Sequence, residues 1–210
     1  WSIRLAVDQL ELDGNYQTAL LLQVKQEDNV QVRSQMAASS RRVSPPLFAG
    51  IVKELLQRDE DVLDHHIPLL VWWAIEANAT EFESIRQLFG DPDVWTQKMT
   101  QSVILQRLVK RYAMSGTRGE LENLAWMFQA APDKASSDIL MAGFEQSFEG
   151  RSLANLPVSL LEQIRAAGGG SLKLKARLGD PAAIATAIET VVNTNAPAQQ
   201  RQSLISVLGQ

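Results

Sequence analysis

The chain has 210 residues, a net charge of −4 and no cysteine, so disulfides, thiolate metal sites, cysteine nucleophiles and thioether haem attachment are excluded within it. Its length fits one domain of ordinary size or two small ones. Because the net charge is negative, we do not expect the chain to bind the phosphate backbone of a nucleic acid. No apolar run is long enough to span a membrane, and no signal peptide opens the chain.

Hydrophobic periodicity predicts helices from end to end. Leu47, Ile51 and Leu55 recur at helical spacing, as do Leu121 and Phe128. Alternation of period two over the length of a strand is rare. The sequence therefore indicates an all-α fold with many short helices.

Prolines, glycines and acidic caps separate the periodic blocks. Asp91-Pro92 and Asp180-Pro181 each place a capping carboxylate before a proline at the first helical position. Gly168–Gly170 follows a helical block and fits a helix end with a turn, since a phosphate-binding loop would need a preceding strand. The predicted helices span residues 2–12, 15–26, 29–42, 47–58, 67–79, 81–89, 93–114, 118–130, 134–149, 157–167, 171–178, 181–193 and 197–208.

A sequence pattern recurs weakly along the chain. Asp28 is followed by Val32, Arg33 and Ala37, which gives an acidic residue, then Val-Arg, then a small apolar residue. A related arginine, Arg4, lies 29 residues before Arg33. Arg201 likewise follows a polar residue and precedes apolar residues at helical spacing. Such repetition favours stacked helix pairs over an irregular bundle.

Asp28, Val32, Arg33 and Ala37 resemble the motif of HEAT repeats, with one extra residue between the aspartate and the valine. This resemblance implies a right-handed α-α superhelix, of the HEAT or armadillo type, with roughly five to seven antiparallel helix pairs. It also implies one repeat domain over residues 1–210 in which Asp28 and Arg33 are structural. An aspartate at a helix N-terminus suits the helix dipole and can pair with an arginine of the next unit.

A narrower resemblance involves residues 59–76, DEDVLDHHIPLLVWWAIE, together with Gly179–Ala182 and the helix that contains Arg201. These segments resemble planctomycete-type membrane-bound dehydrogenase and haem-binding proteins. The resemblance implies an exported or periplasmic protein in which this chain is the helical middle, between a propeller-like sugar dehydrogenase domain and a cytochrome c domain. Because Trp1 and Gln210 lie at the edges of helical blocks, we expect the chain to be part of a larger protein.

One cluster has side chains suited to a metal ion: Asp61, Asp64, His65, His66 and Glu76. Adjacent histidines point in different directions, so a shared ion would require an unusual loop and a further carboxylate ligand. The simpler interpretation is that Asp64 caps the helix beginning near Ile67 and that the histidines lie in its entry turn.

Tryptophans offer candidate anchors for a partner. Trp72 and Trp73 occupy adjacent helical positions, so one indole should face the core and the other should lie to the side or outside. We expect most of the chain's indoles, including those of Trp95 and Trp126, to be buried. An exposed one would be the best candidate for binding a protein.

Several basic groups are scattered along the sequence. Some DNA-repair glycosylases built from HEAT-like helices have such residues in a basic groove, but this chain lacks the net positive charge of such a groove. Solvated helix faces are the simpler interpretation of these groups. They comprise Arg41-Arg42, Arg107, Lys110-Arg111, Arg118, Lys173, Lys175 and Arg177.

We therefore predict a non-catalytic helical-repeat scaffold that holds flanking domains or a protein partner, with no cofactor and no nucleic-acid ligand. The alternative is an enzyme, with a metal-assisted site at the acidic and histidine cluster or a glycosylase-like groove.

Overall fold

The computed structural model describes residues 3–4 and 12–209, and within these the chain is all-α, with no strand. The predicted helix over residues 2–12 lies almost entirely outside the described residues. The helices are α1 Gly14–Gln26, α2 Val30–Ser40, α3 Pro45–Leu56, α4 Ile67–Ala77, α5 Phe82–Phe89, α6 Pro92–Thr96, α7 Leu105–Ser115, α8 Arg118–Ala130, α9 Lys134–Ser147, α10 Val158–Ala166, α11 Leu172–Arg177, α12 Pro181–Val192 and α13 Ala198–Leu208.

The helix starts follow the capping signals in the sequence. The side chains of Asp91 and Asp180 accept hydrogen bonds from backbone amides two and three residues later, and each precedes a proline at the first turn. These bonds satisfy amides that the first turn of a helix leaves without an intrahelical partner. Both predicted caps are therefore confirmed.

One predicted helix, over residues 93–114, is wrong. α6 ends at Thr96, where Gln97 adopts an extended backbone with a ψ of 138°. A π-helical turn, Thr100–Ile104, then leads directly into α7. Just before the break, the buried Trp95 indole donates a 2.8 Å hydrogen bond to the carbonyl of Phe89 and packs edge-on against its ring.

Contacts between helices fall into two rows. Helices α1, α3 and α5 pack side by side in one row, and α2, α4, α7 and α9 pack in the other. The first row continues from α5 to α8 through an edge-to-face contact between Phe82 and Trp126, with ring centroids 5.4 Å apart, and then to α10. Apolar side chains between the rows form one continuous core.

Helices α11, α12 and α13 pack mainly on one another, and we refer to them as the end cluster. The run Gly168–Gly170 joins this cluster to α10, and all three glycines have positive φ angles, of 95°, 73° and 75°. The amides of Gly168 and Gly169 donate to carbonyls in the last turn of α10, so the predicted helix end with a turn is confirmed.

Candidate interaction groove

Two neighbouring tryptophans on α4 face different environments. Trp72 is buried, with 6% of its surface exposed, whereas Trp73 is 49% exposed. Adjacent residues on a helix point about 100° apart, so when one indole enters the core the next lies at the surface. Trp95 is fully buried and Trp126 is half-buried, which confirms that most of the described indoles are in or against the core.

Trp73 lines a groove between α2 and α4 that has a cavity volume of about 280 Å³. We refer to it as the Trp73 groove. Its apolar surface comes from Ala38, Leu70 and Trp73, and its polar surface from Gln35 and three arginines, Arg4, Arg41 and Arg42.

The described part of the groove lining is basic. Among the described residues that line it, three are arginines and none is acidic, although the net charge of the chain is −4. Arg41 follows the last residue of α2, and its side chain is exposed. Glu76 lies on α4 one turn beyond Trp73 and is also exposed, so a negative charge borders the groove on that side.

A buried ion pair holds α2 against the turn between α3 and α4. The guanidinium of Arg33 donates two hydrogen bonds of 2.6 Å to the carboxylate of Asp61, and the exposed fractions of the two side chains are 5% and 2%. Arg33 also donates to the backbone carbonyls of Glu27 and Asp28. The hydrogen bond to Asp61, more than the nearby charges, raises the pKa of Arg33.

The other members of the predicted repeat motif differ in burial and in hydrogen bonding. Ala37 is fully buried, and Val32 packs against the core from a partly buried position. Asp28 is exposed and contributes its backbone carbonyl to Arg33, whereas Asn29 caps α2 by accepting from the amides of Gln31 and Val32. The arginine therefore pairs with Asp61 and not with Asp28, because the turn between α3 and α4 brings Asp61 into reach.

The five candidate metal ligands do not come together as a group that could hold an ion. Asp61 is occupied by Arg33, and His65 and His66 are both exposed. Glu76 lies ten residues beyond His66 on α4, about 15 Å along the axis. Within residues 3–4 and 12–209, no three histidine, aspartate or glutamate side chains form a group that could hold a metal ion.

Asp64 caps α4, as the simpler interpretation predicts. One of its carboxylate oxygens accepts 2.8 Å hydrogen bonds from the amides of His66 and Ile67. The bond from Ile67, followed by that from His66, lowers the pKa of Asp64. The carboxylate thus satisfies two of the amides at the start of this helix.

Three of the scattered basic residues, Arg111, Arg118 and Arg177, make structural contacts. Arg111 pairs with Glu120, and Arg118 pairs with Glu122 one turn later. Arg177 donates to the backbone carbonyls of Phe148 and Arg151. These contacts distribute the positive charge over separate helices instead of one continuous groove.

The sequence does not reveal the hydrogen-bond partners of several structural residues. Arg151 donates to the carbonyl of Ala113 at the end of α7, and Arg201 donates to that of Val191 at the end of α12. The hydroxyl of Tyr112 donates to the carbonyl of Ala79, and burial raises the pKa of this tyrosine. Arginines suit exposed carbonyls at helix ends, but the sequence does not reveal which carbonyl each one reaches.

No described helix combines the length and the apolar composition required to cross a bilayer.

Comparisons with protein-family models, with characterised protein sequences and with solved structures found no match.

Proposed function

We propose that the chain is a non-catalytic helical-repeat scaffold, a superhelix of HEAT-like helix pairs, that holds flanking domains or a protein partner. In this proposal the chain belongs to a larger exported bacterial protein of the dehydrogenase-cytochrome type. The family assignment relies on the sequence resemblance of residues 59–76 and Gly179–Ala182.

The observation that carries the scaffold proposal is the two-row packing of the helices. In the rows, each helix packs on helices that are near it in the chain, such as α1 on α3 and α2 on α4. This pattern is typical of repeat arrays, in which each unit contacts its neighbours and the surface is extended. Such a surface suits a protein that binds by shape.

Buried charge in the core also supports a structural role. Arg33 and Asp61 satisfy each other and two backbone carbonyls, and thereby link one helix pair to the next. A buried arginine-carboxylate pair of this geometry fixes the register of the elements it joins. The most buried ion pair of the described chain therefore works as a link between units.

Small-angle X-ray scattering tests the proposed shape. A compact domain of 210 residues has a radius of gyration of about 17 Å. A superhelix of helix pairs should give a clearly larger value and an elongated distance distribution. A value at the compact limit would contradict the superhelix.

Binding in trans tests the proposed role. The gene that encodes this chain is sequenced on both sides, and each flanking domain is expressed separately and mixed with the 210-residue chain. Sedimentation velocity should show a complex with at least one of them. If neither domain binds at about 0.1 mM, where even a weak domain contact would be populated, the proposal that this chain holds its flanking domains is overturned.

A further inference from the structure

The Trp73 groove combines the two side-chain types that dominate binding energy at protein interfaces. Tryptophan and arginine are the commonest residues whose truncation costs an interface most of its affinity. Trp73 is 49% exposed, and Leu69, one turn earlier on the same helix, is 37% exposed. The groove therefore presents apolar surface beside cationic side chains.

The size of the groove indicates what fits in it. Its volume of about 280 Å³ lies below the range of about 300–1,000 Å³ that is usual for small-molecule sites. One or two side chains of an extended peptide fill such a space. Its position between two packed helices, α2 and α4, gives it rigid walls.

The charge of the groove selects the peptide. Arginine binds carboxylates with a planar pair of donors, and Arg41 is exposed at one side of the groove. Glu76 repels a carboxylate on the side beyond Trp73, so an acidic residue is directed towards Arg41.

We propose that the Trp73 groove binds an acidic peptide segment of a partner protein, with a carboxylate on Arg41 and an adjacent apolar side chain on the Trp73 indole. This inference rests on the proposed scaffold function and adds the chemistry of the partner. The acidic side chain gives selectivity, and the apolar side chain supplies buried area.

The test is selection from a random 12-residue peptide library displayed on phage, with the intact 210-residue chain as bait. We expect the enriched peptides to carry Asp or Glu next to Phe, Trp or Leu. Synthetic versions should bind by fluorescence anisotropy, and their affinity should fall several-fold when salt is raised from 50 to 500 mM.

Variants assign the binding to the groove. Trp73→Ala and Arg41→Ala should each weaken binding about tenfold, which is about 1.4 kcal/mol. Arg41→Glu should favour lysine-rich peptides in a repeated selection. Leu22→Ala and Arg107→Ala are matched controls, since both side chains are exposed on other helices, and they should leave affinity unchanged. Circular dichroism melts confirm that each variant folds.

Three results would overturn the inference: no enrichment, enrichment of neutral or basic peptides, or peptides that bind Trp73→Ala and Arg41→Ala as well as the original chain. Because the flanking domains are tested separately by sedimentation, these failures are distinguishable from failure of the scaffold role. A flanking domain that binds while the peptides do not places the contact on another surface.

Discussion

The body formed by α1–α10 and the end cluster α11–α13 are held together differently. In the body, large side chains such as Trp95, Tyr112 and Phe144 are fully buried between two rows of helices. In the end cluster, the buried apolar side chains are Leu174, Ala176, Ala183, Ala187 and Leu204, and three of these five are alanines. The end cluster therefore has a smaller core.

Exposure and cavities show the same difference. Ile188, Val192 and Ile205 of the end cluster are 49%, 69% and 54% exposed. A cavity of about 820 Å³ opens beside α10 where the end cluster meets the body. The difference indicates that buried apolar surface stabilises the end cluster less than it stabilises the body.

The largest effect is expected for Arg33→Ala in the body. Loss of the guanidinium leaves the carboxylate of Asp61 buried without a partner, so we expect a loss of about 3 kcal/mol or more in the free energy of unfolding. Denaturant melts at pH 7 measure it.

The double variant Arg33→Met/Asp61→Leu is the control for Arg33→Ala, because it removes both charges and should recover most of the loss. A loss below about 1 kcal/mol for Arg33→Ala would be typical of an exposed pair, and would contradict the buried link between units.

A matched pair of leucine truncations compares the regions directly. Leu108 and Leu204 are 0% and 2% exposed. We expect Leu108→Ala to cost about 3 kcal/mol and Leu204→Ala about 2 kcal/mol, since the looser end cluster can collapse around the space that the truncation leaves. Chemical denaturation measures both, and equal losses would remove the proposed difference in packing.

The smallest effect is expected at the helix caps. Asp64→Ala should cost about 1 kcal/mol at pH 7. The pKa of Asp64 is lowered in the folded chain, so the stabilisation is complete above the ordinary value of 3.8 and is lost as the pH falls through the folded value. The difference from the unsubstituted chain should therefore shrink below about pH 4.

Asp180→Ala is the counterpart of Asp64→Ala in the end cluster. The substitution removes the hydrogen bond from the amide of Ala183 at the start of α12, so this helix should open locally. We therefore expect faster amide hydrogen exchange in α12 and α13, with little change in the melting temperature. If Asp180→Ala lowered the melting temperature as much as Asp64→Ala, the two regions would unfold as one unit.

The sequence predicts most helices because their signals are local. Apolar spacing, acidic caps and prolines all act within one or two turns, so the predicted ends of α3, α8 and α12 differ from the observed ends by no more than two residues. The break at Gln97 is different. No proline or glycine marks it, so no local signal in the sequence predicts it.

The candidate site could be predicted only in part. Periodicity indicates that one of Trp72 and Trp73 is exposed, but the position of neighbouring helices decides which one. The partner of Arg33 lies 28 residues away in the sequence, and nothing local distinguishes Asp61 from the other acids of its turn. Such pairings depend on how helices stack, which the local pattern does not encode.

Gly168–Gly170 has a consequence for how this chain can evolve. A run of three glycines usually suggests a linker whose composition is free to drift. Here all three residues have positive φ angles that side chains with a β-carbon rarely adopt. At Gly170, a β-carbon would lie 2.5 Å from Oε1 of Glu145 and 2.7 Å from Cδ2 of Leu174. Substitutions in this segment should therefore strain the backbone, and at Gly170 the side chains of Glu145 and Leu174 would also have to move.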